Sequence, residues 1–207
     1  MITTGRVRSF GRVTRGKDKD KNVSHVPDRL SSEGFQGHCG VLPFLIKRNG
    51  DWLYKGSLIT RKSMVCLFAS ALKRDAQGRY VLQTPTERGD IEVEDVPFII
   101  VGLSWKGLGK NQVISFFTNV DECVTLGREH PMRLTHNVLN AEPVPYLHLR
   151  DGEGEYAVEG RVNRSTYYEL VALAEPGVVN GRKVMGVWSD GVFFSLGEFS
   201  EESKGSR

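Results

Sequence analysis

No apolar run in this 207-residue chain approaches the roughly 18 residues of a membrane-spanning helix. Nor is a secretory signal expected after Met1, because Arg6, Arg8, Arg12 and Arg15 interrupt every apolar stretch there. Cysteine is scarce. Cys39, Cys66 and Cys123 are far apart, odd in number and form no C-x-x-C pair, which fits a reducing compartment and argues against a disulfide scaffold. Cys66 falls in a helical pattern and Cys123 in a strand-like run, so each reads as a small buried hydrophobe. His130, His136 and His148 lack the spacing of a zinc site, and His38 beside Cys39 does not supply one. There is no Gly-x-Ser-x-Gly elbow, and no Ser or Cys has a base partner that spacing can identify, so nucleophilic catalysis has no positive support. The expectation is a soluble cytoplasmic protein with no metal and no cofactor.

What is present is an ordinary globular composition. With 39% hydrophobic and 26% charged residues, the chain is neither fibrous nor wholly disordered. Its net charge of +3 is uneven: residues 1–34 carry eight Lys and Arg against four acids, whereas the remainder carries 20 basic and 21 acidic side chains. The positive charge therefore belongs to a leader poor in large apolar residues, and a basic face on the folded part is not indicated. This basic leader, 1–34, is expected to be disordered. Contact with nucleic acid or an anionic surface, or an organelle transit role, is the alternative, and nucleic acid is the weakest partner class. The polar stretch 198–207 is expected to be a disordered tail.

From Phe35 onward, short apolar runs alternate with turn residues. Pro43 to Arg48 and Trp52 to Lys55 flank Asn49-Gly50, a hairpin signal because both residues tolerate positive φ. Arg61 to Arg74 places Met64, Val65, Leu67, Phe68, Ala71 and Leu72 at three-and-four spacing, with Thr60 as N-cap and Lys73-Arg74 suiting the negative end of a helix dipole. An amphipathic helix is expected there. Strand-like runs follow at Tyr80–Gln83, Ile91–Glu94, Phe98–Trp105, Gln112–Thr118, Val124–Leu126, Met132–Thr135 and Tyr146–Arg150. Tyr156–Arg164 can then be laid beside Leu53–Arg61 with a single-residue gap. A second helix pattern follows, with Tyr167, Leu170, Val171 and Ala174 on one face. Strands are expected after it at Val184–Trp188 and Val192–Leu196 around Asp190-Gly191. The likeness suggests a duplication with a ligand cleft between its halves, although two unrelated small α+β units would also look alike.

Three constellations bear on chemistry. Lys106-Gly107-Leu108-Gly109-Lys110-Asn111 fails as a phosphate loop, because Ser104 and Asn111 stand where Gly and Ser or Thr are needed and a strand follows instead of a helix. It reads as a hairpin tip. Asp90, Glu92 and Glu94 alternate with Ile91 and Val93, so a strand would line three carboxylates on one face with Asp95 following. That row is either an acid–base or hydrogen-bonding surface or a solvated, edge-protecting face. Tyr167-Tyr168 with Arg161 and Arg164 could stack on and neutralise a nucleotide, or could simply be a helix's core and surface residues.

Taken in order, Gly50-Asp51-Trp52-Leu53-Tyr54-Lys55-Gly56, Leu67-Phe68-Ala69-Ser70-Ala71-Leu72, Thr84-Pro85-Thr86-Glu87, Ile91-Glu92-Val93-Glu94-Asp95-Val96-Pro97-Phe98, Thr118-Asn119, Pro145-Tyr146-Leu147-His148-Leu149-Arg150, Arg164-Ser165-Thr166-Tyr167-Tyr168 and Gly186-Val187-Trp188-Ser189-Asp190-Gly191 resemble the bacterial domain-of-unknown-function family 1285. Leu58 stands where that family usually has proline. The resemblance implies an α+β fold, internally duplicated into two small units, each a helix packed on antiparallel strands. The N-terminal unit would span 35–97, and a pleckstrin-homology-like C-terminal unit 98–197. It also implies an interdomain pocket for a nucleotide-like ligand, built from Arg61, Thr84, Glu87, Glu92, Glu94, Thr118, Asn119, Tyr146, Arg150, Arg164 and Tyr167, with arginines on phosphate and tyrosines on a ring. The leading expectation is a non-catalytic ligand-sensing module with a possible role in signal transduction. A protein-interaction adaptor with a signalling partner, or an enzyme using Glu92, Glu94 and Asp95, is the alternative.

Overall fold

The computed structural model describes residues 38–136 and 142–198. The expectations for the leader, and for all but the first residue of the tail, lie outside the described residues. The first sheet contains β1 (His38–Ile46), β2 (Trp52–Tyr54), β3 (Ser57–Leu58), β4 (Leu72–Arg74), β5 (Tyr80–Gln83) and β6 (Arg88–Val93), with helix α1 (Lys62–Ser70) between β3 and β4. The second contains β7 (Phe98–Lys106), β8 (Val113–Thr118), β9 (Cys123–Thr125), β10 (Met132–His136), β11 (Pro143–Asp151) and β12 (Ala157–Val162). Helix α2 (Arg164–Val171) leads into a three-stranded sheet of β13 (Glu175–Val179), β14 (Arg182–Ser189) and β15 (Val192–Glu198).

Each six-stranded sheet consists of two antiparallel three-stranded meanders joined by a parallel central pair, β1 with β6 and β7 with β12. Counted from its own first strand, each sheet has the order third, second, first, sixth, fifth, fourth. This repeated topology is consistent with a duplicated α+β arrangement, but the sheets are mixed, where purely antiparallel strands were expected. The helices also enter at different points, α1 between the meanders of the first sheet and α2 after both meanders of the second. The aligned glycines likewise serve different ends. Gly56 turns the β2–β3 hairpin at φ +77°, whereas Gly160 lies within β12, where a Cβ would come within 3.0 Å of Ile100.

The opening hairpin forms as expected, but its turn needs positive φ only at Gly50; Asn49 contributes its Oδ1, which accepts the Asp51 N–H. The expected Arg61–Arg74 helix is shorter. Thr60 is not its cap: Arg61 occupies that position and no side chain caps the helix. Lys73 and Arg74 belong to β4, because Leu72, only 1% exposed, pairs with Leu82 and Asp75–Gly78 is the tip of a β hairpin. Burial opposes ionisation of Asp75, but hydrogen bonds from the backbone N–H groups of Arg79 and Gln77 and from the Arg79 guanidinium outweigh it and lower the carboxyl's pKa. In α2, Leu170 and Thr166 are buried while Val171 is exposed, and Ala174 lies past the helix end. Residues 106–111 form the expected hairpin tip, with a 3-10 turn at Gly109–Asn111. Cys123 is exposed on β9, not buried, and Cys66 is half-buried in α1.

One hydrophobic core runs through both units. Phe44, Trp52 and Leu72 of the first join Phe98, Phe116, Leu147 and Leu170 of the second, with Val187 and Phe194 from the last sheet. That last sheet is tied on by Ser189, whose hydroxyl donates to the Leu126 carbonyl at 2.6 Å and accepts the Ile114 N–H at 2.9 Å.

Candidate functional site

Helix α1 turns Met64, Phe68 and Ala71 toward the first sheet, at spacings that stack them on one helical face. Only Phe68 closes onto it by ring contact, through Phe44. A cavity of about 670 Å³ remains between that face and Leu42, Pro43, Phe44, Tyr54 and Leu82, within the size range of small-molecule sites. Phe44 anchors its floor, with its ring 4.9 Å from both Tyr54 and Phe68, tilted against the first and edge-on to the second. Leu58, Tyr54 and Met64 form an exposed apolar lip, 54%, 42% and 40% accessible respectively.

The polar groups of this cavity sit at its two ends. Ser57, Thr60 and Arg61 lie in the segment from edge strand β3 into α1, whereas Thr84 and Glu87 belong to the β5–β6 turn. Four strand spacings separate β3 from β5 in the sheet order, roughly 19 Å at about 4.8 Å per strand. The Thr84 hydroxyl is occupied, accepting the Glu87 N–H at 3.0 Å. The Arg61 guanidinium and the Glu87 carboxylate have no hydrogen bond or ion pair among the described residues. No acid of the helix itself stands in the first turn of α1, and Asp121, the acid at this end, pairs with Lys62 at 2.6 Å, so the partial positive charge of the helix N-terminus lies beside Arg61.

The joint between the units is arranged differently. Asp95 accepts the Tyr146 hydroxyl at 3.0 and 3.2 Å. The Arg161 Nε lies 3.0 Å from Asp95, a charge contact out of line for a hydrogen bond, and the Arg48 Nε 3.8 Å away. Burial, followed by the neighbouring Asp95 charge, raises the Tyr146 hydroxyl above the ordinary phenol range. Arg150 donates to the Ala69 carbonyl near the end of α1 at 3.1 and 3.2 Å and pairs with Glu122 at 3.1 Å. Asn119 accepts the Ile99 N–H at 3.1 Å and donates to the Gly50 carbonyl at 3.3 Å, while the Thr118 hydroxyl accepts the N–H groups of Val120 and Glu122. Glu94 accepts the Arg48 N–H at 2.7 Å, and Glu92 is exposed on β6. A smaller cleft of about 380 Å³ between β4 and β11–β12 includes only Arg150 among the eleven candidates.

The eleven residues therefore do not converge on one interdomain pocket. Arg61, Thr84 and Glu87 border the cavity within the first unit. Thr118, Asn119, Tyr146 and Arg150 make turns and cross-links at the joint. Arg164 and Tyr167 lie elsewhere: Arg164 is exposed, donates to the Tyr168 hydroxyl at 2.9 Å and pairs with Glu142, and Tyr167 is half-buried with its pKa raised by that burial. The carboxylates considered for catalysis line neither cavity, and Asp95 is engaged by protein groups. Sequence reasoning missed Arg48 and Arg161 as partners of Asp95, although Arg161, flanked in β12 by buried Gly160 and Val162, is a charge in an otherwise apolar setting that needs a partner. It also missed the cavity's apolar walls. Among the described residues no cluster of three or more His, Cys, Asp or Glu could hold a metal, and no helix is long and apolar enough to cross a membrane.

Two family profiles match the chain: the N-terminal domain of unknown function DUF1285 over residues 36–96 and the C-terminal domain of the protein of unknown function DUF1285 over residues 97–196. Among solved structures, the chain is similar to a DUF1285 family protein from Silicibacter pomeroyi, at 36% identity and a TM-score of 0.69, covering 78% of this chain and 83% of that one. A DUF1285 family protein from Shewanella baltica matches at 26% identity and a TM-score of 0.47, covering 64% and 92%. No curated protein matches the chain.

Proposed function

We propose that this chain, which belongs to the DUF1285 family, is a non-catalytic small-molecule-binding module whose site is the cavity between α1 and the first sheet. The observation that carries this reading is the contrast in hydrogen-bonding state. At the joint the side chains of Asp95, Asn119, Tyr146 and Arg150 are bonded to protein groups, although the Nε atoms of Arg150 and Arg161 are not, whereas the 670 Å³ cavity is apolar inside and ends on an exposed arginine and an exposed carboxylate that have no ion pair among the described residues. Concave apolar walls with a few placed polar groups are what a small-ligand site requires. A nucleotide-like ligand is the less suited class, because one arginine at the rim gives a polyphosphate little to pair with. Sensing in the cytoplasm, with the ligand state read by a signalling partner through a pleckstrin-homology-like C-terminal unit, is the natural extension of the reading.

The test is native mass spectrometry of the purified protein beside two variants, Ala71→Phe, which fills the cavity, and Leu58→Asp, which charges its exposed lip. A retained small molecule lost from both variants is the expected result. Equal retention by wild type and both variants places the ligand elsewhere and refutes the reading.

A further inference from the structure

We infer that the cavity takes an unbranched long-chain carboxylate, with its carboxylate at Arg61 and the N-terminus of α1 and its alkyl chain running along the joined Phe44 and Phe68 rings toward Leu82. The inference rests on the cavity being the site and adds the chemistry of its occupant. The walls select the chain: Phe44, Tyr54, Leu58, Met64, Phe68 and Leu82 offer carbon surface along a trough that crosses the first sheet. Its walls reach from β3 to β5, four strand spacings or roughly 19 Å apart in the sheet, which suits an extended chain better than a compact ring system.

Charge fixes the direction. At the β3 end, the Arg61 guanidinium, without an ion pair among the described residues, stands beside a helix N-terminus with no cap and no acid in its first turn, where Asp121 is taken up by Lys62, and both favour an anion. Glu87 lies at the opposite end, on the β5–β6 turn, and repels one. An acyl carboxylate therefore has a single favourable orientation. A neutral lipid has no use for Arg61, and a polyphosphate places more charge there than one guanidinium can offset.

The experiment titrates the full chain, by calorimetry below the micelle concentration, with sodium salts of saturated C8 to C18 fatty acids, the matching primary alcohols, and AMP. Affinity should rise about fourfold per added methylene until the cavity is filled and then level off. Acids should bind roughly tenfold tighter than alcohols, and Arg61→Ala should erase that difference by weakening the acids far more than the alcohols. Leu58→Asp should weaken every chain length. Alcohols binding as tightly as acids, an unaltered preference in Arg61→Ala, no dependence on chain length, or AMP binding in preference to all of them overturns the carboxylate assignment. If a different retained molecule is lost from Ala71→Phe and Leu58→Asp, the occupant is wrong and the cavity stands. If those variants alter no binding at all, the cavity reading itself fails.

Discussion

The two helices of this protein have nearly the same length and opposite relations to the sheets beneath them. In α2, Asn163 caps the first turn by accepting the Thr166 N–H at 2.8 Å, Leu170 is wholly buried and Thr166 is 1% exposed, so the helix is seated as part of the core. In α1 no side chain caps the first turn, Ala69 is the one buried residue, and the inward face meets the core at Phe68 but borders the cavity at Met64 and Ala71. Unfilled apolar volume forgoes dispersion contacts, and an uncapped terminus leaves backbone donors unpaired within the protein. The comparison teaches that the first unit gives up stability at the same place where it opens a cavity, as the binding role proposed above requires.

The largest effect should come from removing the anchor of α2. Leu170→Ala should cost about 2–5 kcal/mol by urea denaturation, whereas Met64→Ala, which truncates the half-open lip of α1, should cost less than about 1 kcal/mol. Similar losses would break the comparison. Next, Arg150→Ala should cost about 2 kcal/mol, since it leaves Glu122 unpaired and removes the donor to the Ala69 carbonyl. Protection of the α1 amides in hydrogen exchange should fall further than that of α2. Smaller still, and opposite in sign, are the caps: Asn163→Ala should lose about 1 kcal/mol. Arg61→Asp, supplying α1 with a cap and a negative first turn, should gain up to about 1 kcal/mol in thermal unfolding.

The last effect appears only in alkali and sharpens the contrast from the first sheet. Burial pushes the Tyr80 hydroxyl up to about 12, partly offset by the Arg74 guanidinium 4.9 Å from its ring. With an unfolded value near 10, the neutral phenol is favoured in the folded state, so its contribution is complete below about pH 10 and lost as pH rises through about 12. Tyr80→Phe should flatten that part of the stability profile. An unchanged profile would show that the core beneath β5 is not as dry as its burial implies.

Much of the architecture was legible because strands announce themselves locally. Tyr80–Gln83 was placed to the residue, and Asn49-Gly50 gave its hairpin. The overlong first helix shows the limit: Leu72 fits a helical period and a strand equally well, and only its pairing with Leu82 decides. The site was legible in fragments. Arg61, Thr84 and Glu87 were picked out, but the space they border is made by residues separated by some forty positions, and no local pattern encodes a gap between a helix and a sheet. The parallel pairs β1–β6 and β7–β12 were hidden for the same reason, since each joins the first and last strands of its sheet.

The turn at Gly50 carries one more consequence. A Cβ there would come within 2.8 Å of Ile99 and 2.9 Å of Asn119, so the tip of the first hairpin is a plug fitted into the second unit. Arg150 and Asp95 fasten other points of the same joint, so the two halves meet at several separate contacts. On the reading proposed above, a ligand beside α1 would be felt in the second unit by contact, through the hold of Arg150 on the Ala69 carbonyl near the end of that helix.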